Sequence, residues 1–231
     1  MSSNPSNSRR SFIKKTALTS IGISIIPRHV MGKGFIPPSD KLNIAIVGAG
    51  GKGYSDMINV GNNGQSNIAA ICDVDWNQAS KAFDFFPKAK RFKDYRKMLE
   101  EMTDIDAITV STPDHTHAVI THAAMQLGKH VYVQKPLTHN IYEARILTEA
   151  AKKYKIVTQM GNQGASGKGV QTMIEWYNSG TIGEVNKVEV WTNRPVWPQG
   201  IKTPTEKPAL LNNLDWDSWV GPAEWVDYNP L

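Results

Sequence analysis

The residues most able to do chemistry form a glycine-rich turn at 48–53, which reads Gly-Ala-Gly-Gly-Lys-Gly and fits the pattern G-x-G-x-x-G. In such a turn the glycines let the backbone approach a pyrophosphate, which lies on free N–H groups at the positive end of the following helix. Asp73 stands 20 residues beyond Gly53, where a carboxylate can accept hydrogen bonds from the hydroxyls of an adenosine ribose. A helix N-cap is the alternative role for Asp73. The pattern predicts a dinucleotide site formed by Gly48, Ala49, Gly50, Gly51, Lys52, Gly53 and Asp73.

Two carboxylates bear on which dinucleotide fits this site. A 2′-phosphate on the adenosine ribose would meet the negative charge of Asp73, and Asp75 is close by. We therefore expect NAD as the cofactor and regard NADP as the poorer fit. Lys52 has two open interpretations, a charge contact to phosphate and an ordinary solvated side chain.

Strands and helices alternate along the part of the chain that carries this turn. Apolar, β-branched runs predict buried strands at 42–47, 68–72, 107–110, 130–133 and 156–160. Helices are predicted between and after them, at 54–60, 76–86, 95–101, 118–127, 140–154 and 170–177. Asp94 is a predicted N-cap, and Asn140 with Glu143 forms a predicted capping box. The alternation predicts an α/β fold over 41–182, a Rossmann-type doubly wound parallel sheet.

The composition of the sequence changes after Gly183. Val185, Val188 and Val190 predict a longer strand, and a stretch rich in proline and tryptophan follows it. We interpret 183–231 as the incomplete start of a second domain. Several tryptophans are expected to be buried only by the remainder of that domain, and otherwise to form an exposed apolar patch: Trp191, Trp197, Trp216, Trp219 and Trp225.

Two later motifs sharpen the functional prediction. One is Ser111-Thr112-Pro113-Asp114-His115-Thr116-His117, and the other is Gly128-Lys129-His130-Val131-Tyr132-Val133-Gln134-Lys135-Pro136. With the glycine turn, they closely resemble the glucose–fructose oxidoreductase / inositol dehydrogenase (Gfo/Idh/MocA) family from Lys41 almost to the end. The resemblance implies a Rossmann domain followed by an α+β open-sheet domain that shapes a sugar site. It also implies hydride exchange between a sugar or polyol carbon and C4 of nicotinamide.

The resemblance assigns roles to individual residues. Lys135 is implied as catalytic, lying between the nicotinamide ribose and a substrate hydroxyl. An ammonium there orients the substrate and helps to move the proton that accompanies hydride loss; a strand-end surface lysine is the alternative. Thr112 and Pro113 are implied beneath the cofactor, with His117 beside it. Further cofactor contacts are implied for Gln134, Lys135, Asn162 and Gln163.

The chain departs from the family pattern at three points. Gln134 stands where the family usually has glutamate, which resembles one branch of the family. Ala165 stands where that branch would have a histidine. The family also has a catalytic Asp and His on a helix of the second domain, and no histidine follows His139 here. A lost general acid/base costs roughly 10²–10⁴-fold in rate, and the loss of most of the substrate domain costs more. We therefore expect this chain, as an incomplete product, to bind dinucleotide weakly and to turn over poorly.

No metal site is predicted, although five histidines lie between His115 and His139. They lack a metal-ligand pattern with supporting cysteines or carboxylates. The single cysteine, Cys72, lies in an apolar run and is expected to be a small buried residue.

The first 34 residues resemble a twin-arginine export signal. Arg9 and Arg10 are followed by Ser-Phe-Ile-Lys and by an apolar stretch at 17–26, which is too short to span a bilayer. We expect a signal at 1–34, a linker at 35–40, the export machinery as a partner and a periplasmic or exported protein, membrane-tethered if the signal is uncleaved. Six of the 26 basic residues and none of the 21 acidic residues lie in 1–34, so the remainder is nearly neutral and needs no nucleic-acid partner.

Three functions remain open at this point. The first is an NAD-dependent oxidoreductase acting on a sugar or polyol. The second is an NAD-assisted enzyme that cleaves a glycosidic bond by transient oxidation and elimination, and the third is a non-catalytic nucleotide-binding module. A homo-oligomer is compatible with the full-length form.

Overall fold

The computed structural model describes residues 40–61, 64–196, 198–202 and 204–230. The predicted export signal, residues 35–39 of the predicted linker, and Trp197 lie outside the described residues. The chain divides into two compact units, Met1–Lys41 and Leu42–Leu231, and every feature below belongs to the second.

Six parallel strands form one sheet in the order β3-β2-β1-β4-β5-β6. The strands are β1 (Asn43–Val47), β2 (Asn67–Cys72), β3 (Lys90–Phe92), β4 (Ala107–Val110), β5 (His130–Gln134) and β6 (Thr158–Gly161). The strand order reverses between β1 and β4, and the crevice outside their carboxyl ends is where such sheets bind ligands. The predicted α/β, doubly wound parallel sheet is therefore confirmed.

Helices cover both faces of the sheet. They are α1 (Gly51–Gly61), α2 (Ser80–Phe85), α3 (Tyr95–Glu101), α4 (His117–Gln126), α5 (Ile141–Tyr154), α6 (Lys168–Asn178) and α7 (Trp216–Val220). Successive residues of β1 point to opposite faces. Ile44 and Ile46 pack with side chains of α1 and α2, whereas Ala45 and Val47 pack with those of α3, α4 and α5. The crevice is thus held between two apolar layers.

Local signals placed most elements correctly. Asp94 accepts a hydrogen bond from the Arg96 N–H at the start of α3, and Asn140 forms the predicted capping box with Glu143. The helix predicted at 76–86 begins only at Ser80, because the preceding residues form a turn around Asp75. The short edge strand β3 was not predicted, since its sequence Lys-Arg-Phe contains no apolar run.

For the region after Gly183, one expectation is wrong and another holds only in part. The predicted strand at 185–191 does not form, and Val190 and Trp191 are 91% and 85% exposed. A strand needs a neighbour for its N–H and C=O groups, and no described strand adjoins this stretch. Trp216 was expected to be exposed, but it is only 9% exposed because it packs against Trp219 and Tyr228. Trp191 and Trp225 are exposed, as expected. The domain boundary at Gly183 stays a prediction.

Among the helices of the described residues, none combines the length and the apolar character that crossing a membrane requires.

Candidate functional site

The glycine turn is formed by close backbone contacts between the end of β1 and the start of α1. Gly48 has φ of +81°, and a Cβ there would lie 2.7 Å from the Ser111 backbone. A Cβ on Gly53 would lie 1.9 Å from the Gly48 carbonyl oxygen. Side chains are therefore excluded at both positions, and the turn keeps the open cradle that a pyrophosphate needs at a helix N-terminus.

Asp73 follows β2 and binds this turn directly. Its Oδ2 accepts hydrogen bonds from the Ala49 and Gly50 N–H groups at 2.7 and 3.3 Å, and its Oδ1 accepts one from the Asp75 N–H at 2.9 Å. A carboxylate has about four acceptor positions, so one remains for a ribose hydroxyl. The helix-cap alternative does not describe these contacts, since the N-cap position of α2 is Ala79. Asp75 instead forms the turn before α2 by accepting from the Asn77 and Gln78 N–H groups.

Burial raises the pKa of the Asp73 carboxyl above its ordinary value. The three backbone N–H donors oppose this shift by stabilising the carboxylate, and the nearby charge of Asp75 adds to it. Burial also raises the pKa of the Cys72 thiol, and the charges of Asp73 and Asp94 raise it further. Burial and the neighbouring carboxylates thus disfavour additional negative charge at the floor of the cavity.

A cavity of about 790 Å³ opens at the carboxyl ends of β1, β2 and β4. Its volume falls within the range of about 300–1,000 Å³ typical of small-molecule sites. Five predicted cofactor residues line it: Gly48, Gly50, Asp73, Thr112 and Pro113. The cavity therefore brings together the predicted phosphate turn, the predicted ribose carboxylate and the loop after β4.

The remaining predicted residues lie outside the lining of this cavity: Ala49, Gly51, Lys52, Gly53, His117, Gln134, Lys135, Asn162 and Gln163. Ala49, Gly51 and Gly53 build the turn itself. Lys52 forms an ion pair with Asp56, one turn along α1. The Lys52 side chain is nevertheless 47% exposed, so the phosphate contact and the solvated side chain both stay open as predictions.

Gln134 belongs to a buried polar cluster centred on Asp56. Asp56 Oδ2 accepts hydrogen bonds from Ser111 Oγ at 2.9 Å and from Gln134 Nε2 at 2.7 Å. Asp56 and Gln134 are both buried. A glutamate at 134 could not donate this bond, so the departure from the family's usual residue has a physical reason in this chain.

His117 joins two loops from within the protein. Its Nδ1 lies 2.6 Å from the Pro136 carbonyl oxygen and its Nε2 lies 2.9 Å from the Thr112 carbonyl oxygen. The side chain is almost fully buried. Any effect of His117 on a cofactor therefore passes through the two loops that it connects.

Lys135 and Asn162 form a second group, at the carboxyl ends of β5 and β6. Gln134 pairs with Gly161 across these strands, so Lys135 and Asn162 leave the sheet side by side. Lys135 is exposed, and its ammonium has no hydrogen-bond or ion-pair partner among the described residues. Gln163, also exposed, donates a hydrogen bond to the Tyr132 hydroxyl at 2.7 Å. This group can meet a ligand that extends along the sheet edge from the cavity.

Sequence reasoning missed one wall of the cavity, which comes from residues 213–230. Leu214, Trp216, Trp219 and Tyr228 all line it. From the sequence, Trp216 and Trp219 were assigned to a second domain, and no sequence pattern in this segment indicated that it borders the cavity. In the part of the chain that the structure describes, no three His, Cys, Asp or Glu side chains are grouped so that they could hold a metal ion.

The chain is similar in sequence to proteins of a known family. Residues 42–162 match the model of the Gfo/Idh/MocA family, described as an oxidoreductase family with an NAD-binding Rossmann fold. A glycosyl hydrolase family 109 protein of Shewanella baltica is 25% identical over 73% of this chain and 39% of its own length. A myo-inositol 2-dehydrogenase of Thermotoga maritima is 24% identical over 68% of this chain and 47% of its own length. The chain thus spans less than half the length of both relatives.

Solved structures share the fold. The myo-inositol 2-dehydrogenase of Lactobacillus plantarum superposes with a TM-score of 0.58 at 24% identity, covering 63% of this chain and 43% of that one. The scyllo-inositol dehydrogenase of Lactobacillus casei, solved with bound NAD(H) and scyllo-inositol, gives a TM-score of 0.57 at 22% identity, covering 62% and 43%. Because the family model matches residues 42–162 and the sheet has the reversed strand order of a Rossmann domain, the chain belongs to the Gfo/Idh/MocA oxidoreductase family and has that family's NAD-binding Rossmann fold.

Proposed function

We propose that the whole protein is an NAD-dependent oxidoreductase that exchanges hydride with a sugar or polyol, and that this chain supplies its dinucleotide-binding domain. One observation carries the proposal: the glycine turn, Asp73 and the exposed Lys135 lie along the same carboxyl edge of one sheet. The inositol dehydrogenases among the relatives and structural neighbours support the substrate class.

Different residues of this chain have different roles along that edge. The glycine turn binds the pyrophosphate, and the free acceptor position of Asp73 binds the adenosine ribose. Bound NAD supplies the hydride acceptor. Lys135, where β5 ends, orients the substrate hydroxyl, and its ammonium charge stabilises the alkoxide that develops as the hydroxyl proton passes to water. Asn162 and Gln163 border the same end of the site.

Thermal unfolding of the full chain with NAD and with NADP tests the cofactor part of this proposal. A ligand at about 100 times its Kd adds about 2.7 kcal/mol to the stability of the folded state. We expect NAD to raise Tm and NADP to have little effect, because its 2′-phosphate would face Asp73 and Asp75. Asp73→Asn should lose the NAD effect while remaining folded. A folded wild-type chain that responds to neither nucleotide would contradict the proposal.

A second candidate is NAD-assisted cleavage of a glycosidic bond, and the relative named as a glycosyl hydrolase family 109 protein favours it. The two activities differ in what becomes of the cofactor. A dehydrogenase accumulates reduced nicotinamide in proportion to product, whereas oxidation followed by elimination returns NAD unchanged. Measuring the absorbance of reduced nicotinamide together with product formation distinguishes the two activities. NAD binding without formation of either product would favour the third function, a non-catalytic nucleotide-binding module.

We also propose that the protein is exported through the twin-arginine pathway to the periplasm. The order of Arg9-Arg10, phenylalanine, lysine and a short apolar stretch supports this. Replacing Arg9 and Arg10 together by lysine should retain the protein in the cytoplasm in a fractionation experiment. Export of that variant at the wild-type level would contradict the proposal. We further propose that the chain belongs to the Gln-Lys-Pro branch of the family and that the full-length protein can form a homo-oligomer.

A further inference from the structure

The tryptophan segment, residues 213–230, attaches to the loop that carries Asp73. The Asp215 N–H donates to the Val74 carbonyl oxygen at 2.9 Å, and Leu214 forms an isolated antiparallel bridge with Asp75. Asn213 Nδ2 donates to Asp75 Oδ1 at 2.6 Å. The segment is thus joined to the β2 end of the cavity through backbone and side-chain bonds.

The same segment reaches the loop after β4, on the other side of the cavity. His115 Nε2 donates to the Trp219 carbonyl oxygen at 2.9 Å, and the two rings lie with centroids 5.3 Å apart. A Cβ on Gly221 would lie 3.1 Å from Thr116 Cγ2. The segment therefore bridges the two loops between which a dinucleotide enters the crevice.

An ordered aromatic surface faces the cavity between these attachments. Trp216 and Trp219 are stacked with centroids 4.7 Å apart and planes inclined by 10°. Tyr228 packs edge-on against Trp216, whose Nε1 donates to the Val226 carbonyl oxygen at 2.8 Å. Asp215 caps the short α7 by accepting from both the N–H and the Oγ of Ser218. The tryptophans are held in place before any ligand arrives.

We propose that the tryptophan segment is the outer wall of the adenosine half of the dinucleotide site, and that Trp219 contacts the adenine base. The inference rests on the proposed NAD binding and adds to it a second side of the site. Asp73 marks the ribose position on the floor of the cavity, so the base attached to that ribose lies within reach of the aromatic wall. An aromatic surface suits a purine, because every base has a face or edge that packs against a ring.

Binding of NAD, AMP and NMN to the full chain tests this assignment, because AMP and NMN are the two halves of NAD. Removing one aromatic contact to a base typically weakens binding by about tenfold or more. Trp219→Ala should weaken NAD and AMP by about that factor and leave NMN unchanged. Trp225→Ala is the matched control, since Trp225 lies in the same segment, is 57% exposed and does not line the cavity.

Each outcome decides between the proposals. Wild-type NAD binding with an unaffected, folded Trp219→Ala variant would overturn the wall and leave the proposed function intact. Absence of NAD and AMP binding to the folded wild type would overturn both. If Trp219→Ala does not fold, tryptophan fluorescence replaces it: AMP should change the emission of wild type and Trp225→Phe but not that of Trp219→Phe. An equal response of all three proteins would overturn the wall.

Discussion

Asp73 connects the backbone of the glycine turn with the charge that selects the nucleotide. Its three backbone donors come from the turn and from its own loop, so the carboxylate organises the site before any ligand is present. The same burial that makes these bonds effective raises its pKa. We therefore expect selectivity for NAD over NADP and sensitivity of binding to acid to arise from the same carboxylate.

We predict that NAD affinity falls on acidification from a higher pH than an ordinary aspartate would cause. The carboxylate accepts ribose hydroxyls fully above its raised pKa and loses them as the pH falls through it. Isothermal titration between about pH 7 and pH 4 measures this, against the ordinary aspartate pKa of about 3.9. Asp73→Asn should bind NAD more weakly throughout and lack this part of the profile. Parallel profiles of the two proteins would refute the prediction.

The stability of the protein should respond to the same group in the opposite sense. Because the folded pKa lies above the unfolded pKa, the folded state binds more protons in the interval between them. The contribution of Asp73 to stability is therefore present below the unfolded pKa and is lost as the pH rises through the folded pKa. Bound NAD should offset this loss by keeping the carboxylate hydrogen-bonded.

Gln134 gives a second prediction for a single residue. Gln134→Glu places a carboxylate against Asp56 and leaves both without the bond they share. Such a change costs about 1–3 kcal/mol, and each kcal/mol lowers Tm by about 2–4 °C in a chain of this size. Adding Asp56→Asn should restore much of the loss, because an amide at 56 can donate to the carboxylate at 134. An unchanged Tm in the single variant would show that the cluster contributes nothing.

At the scale of elements, the start of α1 is fixed by contact with the strand before it. Gly53→Ala should abolish NAD binding and cost at least about 1–3 kcal/mol, because its Cβ would overlap the Gly48 carbonyl. Gly169→Ala is the matched control in α6, where a Cβ meets nothing within 4 Å. That variant should gain about 0.4–1 kcal/mol with unchanged NAD affinity. Chemical denaturation and NAD titration of both variants measure the contrast, and equal effects would refute the steric argument.

Elements defined by local chemistry were predictable, and elements defined by distant contacts were not. The Asp94 cap and the capping box at Asn140 involve residues two or three positions apart, so their patterns stand in the sequence. The hydrogen bond between Asn213 and Asp75 joins residues 138 positions apart, and no sequence pattern predicts it. Asp73 lies 24 positions from Ala49, and it was predicted because the spacing of the glycine turn and the following acidic residue forms a known fingerprint. The wall opposite them has no such fingerprint.

At the scale of the molecule, apolar side chains outside the core define how chains meet. Val190 and Trp191 are strongly exposed, and Ile174 and Trp176 of α6 are about half exposed. Exposed apolar side chains promote association where they lie together, as the neighbouring residues Val190 and Trp191 do. The described residues leave both side chains open to solvent.

We predict that the full chain self-associates as its concentration rises. Replacing Val190 by threonine and Trp191 by serine together should shift the equilibrium towards monomer in sedimentation velocity experiments. NAD affinity should not change, because neither residue lines the cavity. A wild-type chain that stays monomeric over the whole concentration range would contradict the prediction.

The reactivity of Cys72 can report on the opening of the domain. Cys72 is the only cysteine of the chain, it lies buried at the end of β2 beside Asp73, and its raised pKa keeps the thiol unreactive while the sheet is closed. Cys72 is 2% exposed and borders the cavity, so a thiol reagent can modify it only when local opening at this end of β2 uncovers the thiol, and the labelling rate measures that opening under native conditions. Since a nucleotide in the cavity covers this end of β2, NAD should slow the reaction as its occupancy rises.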